Sequence, residues 1–293
     1  MKAMVLTAIN APFELQDVPM PQIGPNDVLL RVRACGSGLT LHHAVRGFRP
    51  IKLPAIIGHE ILGEVVELGA DVRGFSVGDH VTPHATLLCG QCRMCRTGRE
   101  PLCEYSGGGI GRHCQGGYAE FVALPDRVCI KVPPRVVEQH GAAGASIICD
   151  AMTTPYKVMG LTNLRAGDNC VIYGAAGGVG IHLIQMAKLR GATVIGIDIG
   201  AEKLAAVSAQ GADHVVDAGV NDAPAQVREL TGGWGADIVV DFVGTTETLA
   251  SGVSMLAKSG RLAIVGLSPK SDAVISAAAS PLLYDGQSIL GSR

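Results

Sequence analysis

The chain has 293 residues, 47% hydrophobic and 17% charged, and its 24 Lys and Arg against 26 Asp and Glu leave a formal charge of −2. That balance excludes a disordered chain, and it excludes a basic surface that binds nucleic acid through its phosphates. Thirty-nine glycines, nearly twice the ordinary usage of about 7%, call for tight turns and close backbone approaches.

The length predicts about two domains, each large enough to bury its own core. The opening stretch, MKAMVLTAINAPFELQD, has one Lys and an apolar run broken by Asn10 and Pro12. It reads as neither a signal nor a transit peptide, which predicts a cytoplasmic protein. From residue 1 to 151 short apolar or alternating runs, such as 27–33 and 63–68, are separated by Pro and Gly, the pattern of a β-rich domain with irregular loops. From 152 to 293 the rhythm becomes apolar strands, at 170–173, 193–197, 236–240 and 261–265, alternating with helical segments. Such alternation predicts an α/β unit whose doubly wound parallel sheet is covered on both faces. Residues 169–187 carry no charged side chain, yet Gly174, Gly177, Gly178 and Gly180 mark a buried strand, a turn and a helix there instead of a membrane span. The chain ends on Ser288-Ile-Leu-Gly-Ser-Arg293, read as a strand and its exit.

All nine cysteines lie between Cys35 and Cys170, an odd number in a chain that reads as leaderless. This argues against a disulfide framework and for metal binding or reactive thiols. Cys89, Cys92, Cys95 and Cys103 are spaced three, three and eight apart. Short loops can bring those four thiolates around one tetrahedral ion, and a site with no open position is a structural zinc site. The ferredoxin pattern places Pro after its last cysteine, whereas Glu104 follows Cys103 here. Arg93, Arg96 and Arg99 read as a solvated rim offsetting the thiolate charge.

Two further segments present candidate ligands at strand ends, Cys35-Gly36-Ser37 and Gly58-His59-Glu60. Taken singly, each reads as well as a small buried thiol or a hydrogen-bonded core histidine. Cys149 and Asp150, at the boundary between the halves, supply candidates for a third ligand.

In the second half, the run from Cys170 through Gly174, Gly177, Gly178, Val179 and Gly180 has the order strand, glycine turn, helix, with Ala175 where the strict pattern has Gly. Glycines there let backbone N–H groups approach a pyrophosphate at a helix N-terminus. The next strand ends in Asp198, eighteen residues after Gly180, where a carboxylate takes the ribose 2′-hydroxyl and repels a 2′-phosphate, so NAD is the expected dinucleotide.

Through Cys35-Gly-Ser37, Gly58-His-Glu60, the four-cysteine lobe and the nucleotide unit, the chain resembles the zinc-dependent medium-chain alcohol dehydrogenases over essentially its whole length. The resemblance implies a GroES-like catalytic domain followed by a Rossmann domain. It implies a catalytic zinc on Cys35, His59 and Asp150, the last preferred to Cys149, with Glu60 as an occasional fourth ligand. It implies that Ser37 passes the alcohol proton outward. The Asp and His with which the family continues that relay are replaced by Gly38 and Thr40, leaving His42, His43 or water to complete it. By the same resemblance Lys203 contacts the adenosine ribose, Thr154 lies beside the nicotinamide and Val179 packs against its ring. The activity implied is hydride transfer between NAD and a primary or secondary alcohol, giving aldehyde or ketone, in a homo-oligomer, dimer or tetramer, to which Ser288–Gly291 contributes a strand. Family members continue beyond that strand into a segment that returns to the first domain. Its absence from this chain implies exposed apolar surface and leaves a catalytically silent zinc- and nucleotide-binding protein as one alternative. An enoyl reductase of the same fold is another.

Overall fold

The structure, a computed structural model, describes residues 1–266, 268 and 273–293. Contacts divide it into two units, Met1–Asp150 and Ala151–Arg293. The first contains β1 (Lys2–Leu6), β2 (Glu14–Asp17), β3 (Asp27–Gly36), the short helix α1 (Leu39–Val45), β4 (Ala55–Ile56), β5 (Glu60–Leu68), β6 (His80–Pro83), the single turn α2 (Arg93–Arg96), β7 (Phe121–Pro125), β8 (Cys129–Lys131) and α3 (Pro134–Ser146). All its strand pairs are antiparallel, in a small sheet ordered β2-β1-β4 and a larger one ordered β7-β3-β5-β6-β8. β3 buries Val28, Leu29 and Leu30 and exposes Arg31 and Arg33. Its partner β5 is set so that Cys35 faces Ile61 and Gly36 faces Glu60. Val28, Leu30, Val65, Val81, Val122 and Leu124 form the core here, joined by the thiols of Cys92, Cys95 and Cys103.

The second unit contains α4 (Thr153–Leu161), β9 (Asn169–Tyr173), α5 (Gly178–Leu189), β10 (Thr193–Asp198), α6 (Ala201–Ala209), β11 (His214–Asp217), α7 (Ala223–Leu230), β12 (Ala236–Asp241), α8 (Thr246–Ser254), β13 (Leu256–Ile264), α9 (Ala279–Tyr284) and β14 (Ser288–Gly291). Its strands pair in parallel in the order β11-β10-β9-β12-β13-β14, the doubly wound arrangement of dinucleotide-binding folds. The apolar runs in its strands follow from burial on both faces. Cys170, Ile172, Val194, Ile238 and Val240 face Leu183, Ile184 and Ala187 of α5. Val171, Tyr173, Ile195, Ile197 and Val239 face the other way and meet Val227 of α7. β11 had no separate sequence signal, because His214-Val-Val-Asp217 is too short for its periodicity to show. Among the described residues no helix is long and apolar enough to cross a membrane.

Candidate functional site

The four-cysteine lobe closes as its spacing predicts. Cys92 caps α2, its Sγ accepting from the Cys95 backbone N–H at 3.5 Å. The Cys92 N–H in turn reaches Cys89 Sγ at 3.3 Å, and the Cys89 N–H reaches Cys103 Sγ at 3.3 Å. The sulfurs stand 3.5 Å apart for Cys92 and Cys95, 3.9 Å for Cys89 and Cys95, and 4.0 Å for Cys92 and Cys103. Ligands about 2.3 Å from a tetrahedral zinc are about 3.8 Å from one another, so the cage has the size of that ion. Amide donors stabilise thiolates, and the Cys95 N–H leads in pulling the Cys92 pKa down to about 6. Arg93, Arg96 and Arg99 are exposed around the lobe. All nine cysteines are free of disulfides.

The remaining first-unit candidates gather less completely. Gly58, with φ of 102°, turns the chain into β5 and delivers His59, which is buried. His59 Nε2 lies 3.0 Å from Asp150 Oδ2, across 91 residues of sequence. Cys149 donates its thiol to the His59 carbonyl at 3.4 Å, and burial pushes that thiol up to about 12. The Glu60 carboxylate is buried opposite Gly36, leaving no room for a side chain there, since a Cβ on Gly36 would lie 2.3 Å from Glu60 Oε2.

Cys35 is half-buried near the end of β3. Its Sγ fills the gap left by Gly58 and Gly117, 2.7 and 2.9 Å from where their Cβ atoms would be, and donates to the Gly36 carbonyl at 3.7 Å. It packs on the core cluster that contains Ile61, and burial pushes its pKa up to about 12. The charges of Cys149 and Glu60 also raise the Cys35 thiol. Among the described residues, Cys89, Cys92, Cys95 and Cys103 are the one set of three or more His, Cys, Asp or Glu whose ligand atoms converge on a metal position.

Ser37 is exposed and lies close enough to the Tyr118 hydroxyl to lower its pKa, which is nonetheless raised, chiefly by burial. Tyr118 carried no signal in the sequence. It arrives from a loop and meets Gly58 and the ring of Phe13, edge to face at 5.7 Å. Thr40, His42 and His43 lie on α1. His42 is exposed, and His43 packs on Phe48 at 5.7 Å with its pKa lowered by burial first and then by Arg49 and His42.

The second unit builds its glycine turn tightly. Gly174 leaves β9 with φ of 71°, and the N–H groups of Gly174 and Ala175 both donate to the Ile197 carbonyl of β10. Gly177 caps α5, and Val179 lies half-buried in its first turn. A Cβ on Gly180 would lie 2.5 Å from the Gly174 carbonyl oxygen, so glycine lets the helix sit on the turn. Asp198, at the end of β10, accepts from the Ala176 N–H at 3.0 Å, the Ile199 N–H at 2.9 Å and Lys203 Nζ at 3.1 Å. Thr154 lies in the first turn of α4. The sequence reading also missed Asp241. Fully buried at the end of β12, it accepts from the N–H groups of Val243 and Gly244 at 2.7 and 2.9 Å and from the Thr248 hydroxyl at 2.7 Å. That loop lies beside the turn, with a Cβ on Gly174 falling 3.2 Å from Val243 Cγ2.

Residues 24–134 match the alcohol dehydrogenase GroES-like domain, and residues 178–293 match the zinc-binding dehydrogenase family. An NAD-dependent alcohol dehydrogenase of Sulfurisphaera tokodaii is 35% identical over 91% of this chain and 78% of its own length. The chain belongs to the zinc-dependent medium-chain alcohol dehydrogenase family. Among solved structures, the alcohol dehydrogenase of the archaeon Aeropyrum pernix superposes with a TM-score of 0.86 at 34% identity, covering 100% of this chain and 85% of that one. A zinc-binding dehydrogenase from Sinorhizobium meliloti, solved with NADP bound, gives a TM-score of 0.87 at 29% identity over 99% of this chain and 83% of that one. Within this family the four-thiolate lobe is the position at which the chain's donor atoms fit a zinc ion, and the turn between β9 and α5 is where its backbone fits a dinucleotide.

Proposed function

We propose that this chain transfers a hydride between NAD and a primary or secondary alcohol, giving the aldehyde or ketone. The observation that carries the proposal is the glycine turn of the second unit held against Asp198. A carboxylate there suits a ribose 2′-hydroxyl and opposes a 2′-phosphate. The reaction class follows from the relatives, described as NAD-dependent alcohol dehydrogenases. In this reading the backbone around Gly174, Gly177, Gly178 and Gly180 binds the pyrophosphate. Lys203 approaches the adenosine ribose, and Thr154 and Val179 border the nicotinamide. The four thiolates hold a structural zinc and leave no position for substrate. Cys35, His59 and Asp150, with Glu60 as an occasional fourth, would hold a catalytic zinc that would polarise the substrate oxygen, and Ser37 with Tyr118 offers hydroxyls along which the substrate proton departs. Thiolate ligation suits a reducing compartment, so the proposed setting is the cytoplasm, and the proposed assembly is a homodimer or tetramer.

The test is reduced-nicotinamide absorbance with short primary and secondary alcohols, supplied with NAD or NADP, together with the reverse reaction on aldehydes and ketones. Turnover that favours NAD is the expected result. Absence of turnover in both directions overturns the proposal.

A further inference from the structure

A cavity of about 410 Å³ lies in the first unit, where the four-cysteine lobe meets the β6 and β8 end of the larger sheet. Its volume falls in the range of about 300–1,000 Å³ that small-molecule sites occupy. Cys95 of the lobe borders it, and none of the other residues lining it belongs to the candidate sites described above.

Three polar side chains face this space. Glu100 heads a short helical turn, half-buried, and its carboxylate has no ion pair or hydrogen bond with any described residue. Arg127 donates from Nε to the Leu88 carbonyl at 2.8 Å, across 39 residues of sequence. That bond steadies the side chain and leaves the terminal N–H groups of the guanidinium for another acceptor. The His84 ring is held by the backbone of Thr86, with Nδ1 3.1 Å from its nitrogen and 3.0 Å from its oxygen, so Nε2 is the nitrogen left for a ligand. Apolar wall is supplied by Leu88 and Val128, both buried, and by Ile130, which is 55% exposed although it pairs with Thr82 in the β6–β8 ladder.

The decisive feature is that Glu100 and Arg127 line one cavity and yet form no ion pair with each other. Opposite charges at the wall of a small cavity attract, and the attraction grows as water is excluded. A ligand without charge would strip water from both groups and pair neither. A simple anion suits Arg127 but is opposed by Glu100, and a simple cation is opposed by Arg127. A molecule with both charges satisfies the two groups together, its carboxylate on the guanidinium fork and its ammonium on Glu100. An aliphatic body would cover Ile130, adding apolar burial.

We propose that this cavity binds a free aliphatic α-amino acid, with the carboxylate on Arg127 and His84, the ammonium on Glu100 and the side chain against Leu88, Val128 and Ile130. The site is separate from hydride transfer, so its occupancy is measured without any turnover.

The test is isothermal titration calorimetry of the full chain, with zinc retained, against L-leucine. Two probes each lack one charge: 4-methylpentanoate, without the ammonium, and 3-methylbutylamine, without the carboxylate. Saturable binding of L-leucine is expected, with each single-charge probe weaker by at least about tenfold, as loss of a charge-assisted hydrogen bond implies. Glu100→Gln and Arg127→Met, checked for fold by circular dichroism, should each weaken L-leucine by a similar factor. No binding of L-leucine with a Kd below about 10 mM overturns the proposal. So does a single-charge probe that binds as tightly as L-leucine, or a folded variant with native affinity. Should one variant fail to fold, the other variant and the two probes decide.

Discussion

Two glycines of the nucleotide turn, two residues apart, should respond differently to the same methyl group. At Gly180 a Cβ would meet the Gly174 and Ala175 carbonyl oxygens at 2.5 and 2.7 Å. Both are backbone atoms, so α5 must move away from β9 by about half an ångström or more, and overpacking of this kind costs about 1–3 kcal/mol. Gly178, in the first turn of α5, has nothing within 4 Å of its would-be Cβ. Alanine favours a helix over glycine by up to about 1 kcal/mol, so Gly178→Ala should unfold at the same urea concentration or a higher one. If the turn cradles a pyrophosphate, however, the open space at Gly178 is where the ligand lies, and the added methyl should raise the Kd for NAD at least about tenfold, or about 1.4 kcal/mol. Gly180→Ala should lose both stability and affinity. Urea unfolding and equilibrium binding of NAD measure the two effects separately. A Gly178→Ala protein that binds NAD with native affinity would refute the placement of the pyrophosphate, and a Gly180→Ala protein of native stability would refute the packing argument.

Other substitutions test the neighbouring inferences. Asp198→Ala removes a carboxylate bonded to Ala176, Ile199 and Lys203, and should shift the ratio of kcat/KM for NAD over NADP toward NADP by about tenfold or more, since like-charge repulsion near a partly buried group is worth about 1–3 kcal/mol; an unchanged ratio counts against Asp198 as the ribose partner. Asp241→Ala leaves two backbone N–H groups and a hydroxyl without their buried acceptor, and should cost about 3 kcal/mol in urea unfolding; a loss below about 1 kcal/mol would show that the loop reorganises freely.

What the sequence alone determined is what short-range pattern encodes. The four thiolates lie within fifteen residues, the glycine turn and its helix are contiguous, and the strands of the parallel sheet announce themselves as apolar runs because both their faces are buried. In each case the residues that cooperate are neighbours along the chain, or a repeating strand and helix brings them together by rule. Tertiary structure decided the rest. Cys35 and His59 both follow strands, but the register that sets Cys35 opposite Ile61 and Gly36 opposite Glu60 is fixed only when β3 and β5 pair. The contact of His59 with Asp150 spans 91 residues. Tyr118 reaches Ser37 from a distant loop, and Asp241 acquires its donors only after β12 has ended. No local periodicity marks such residues, since their partners are chosen by how the strands align and where the turns leave room.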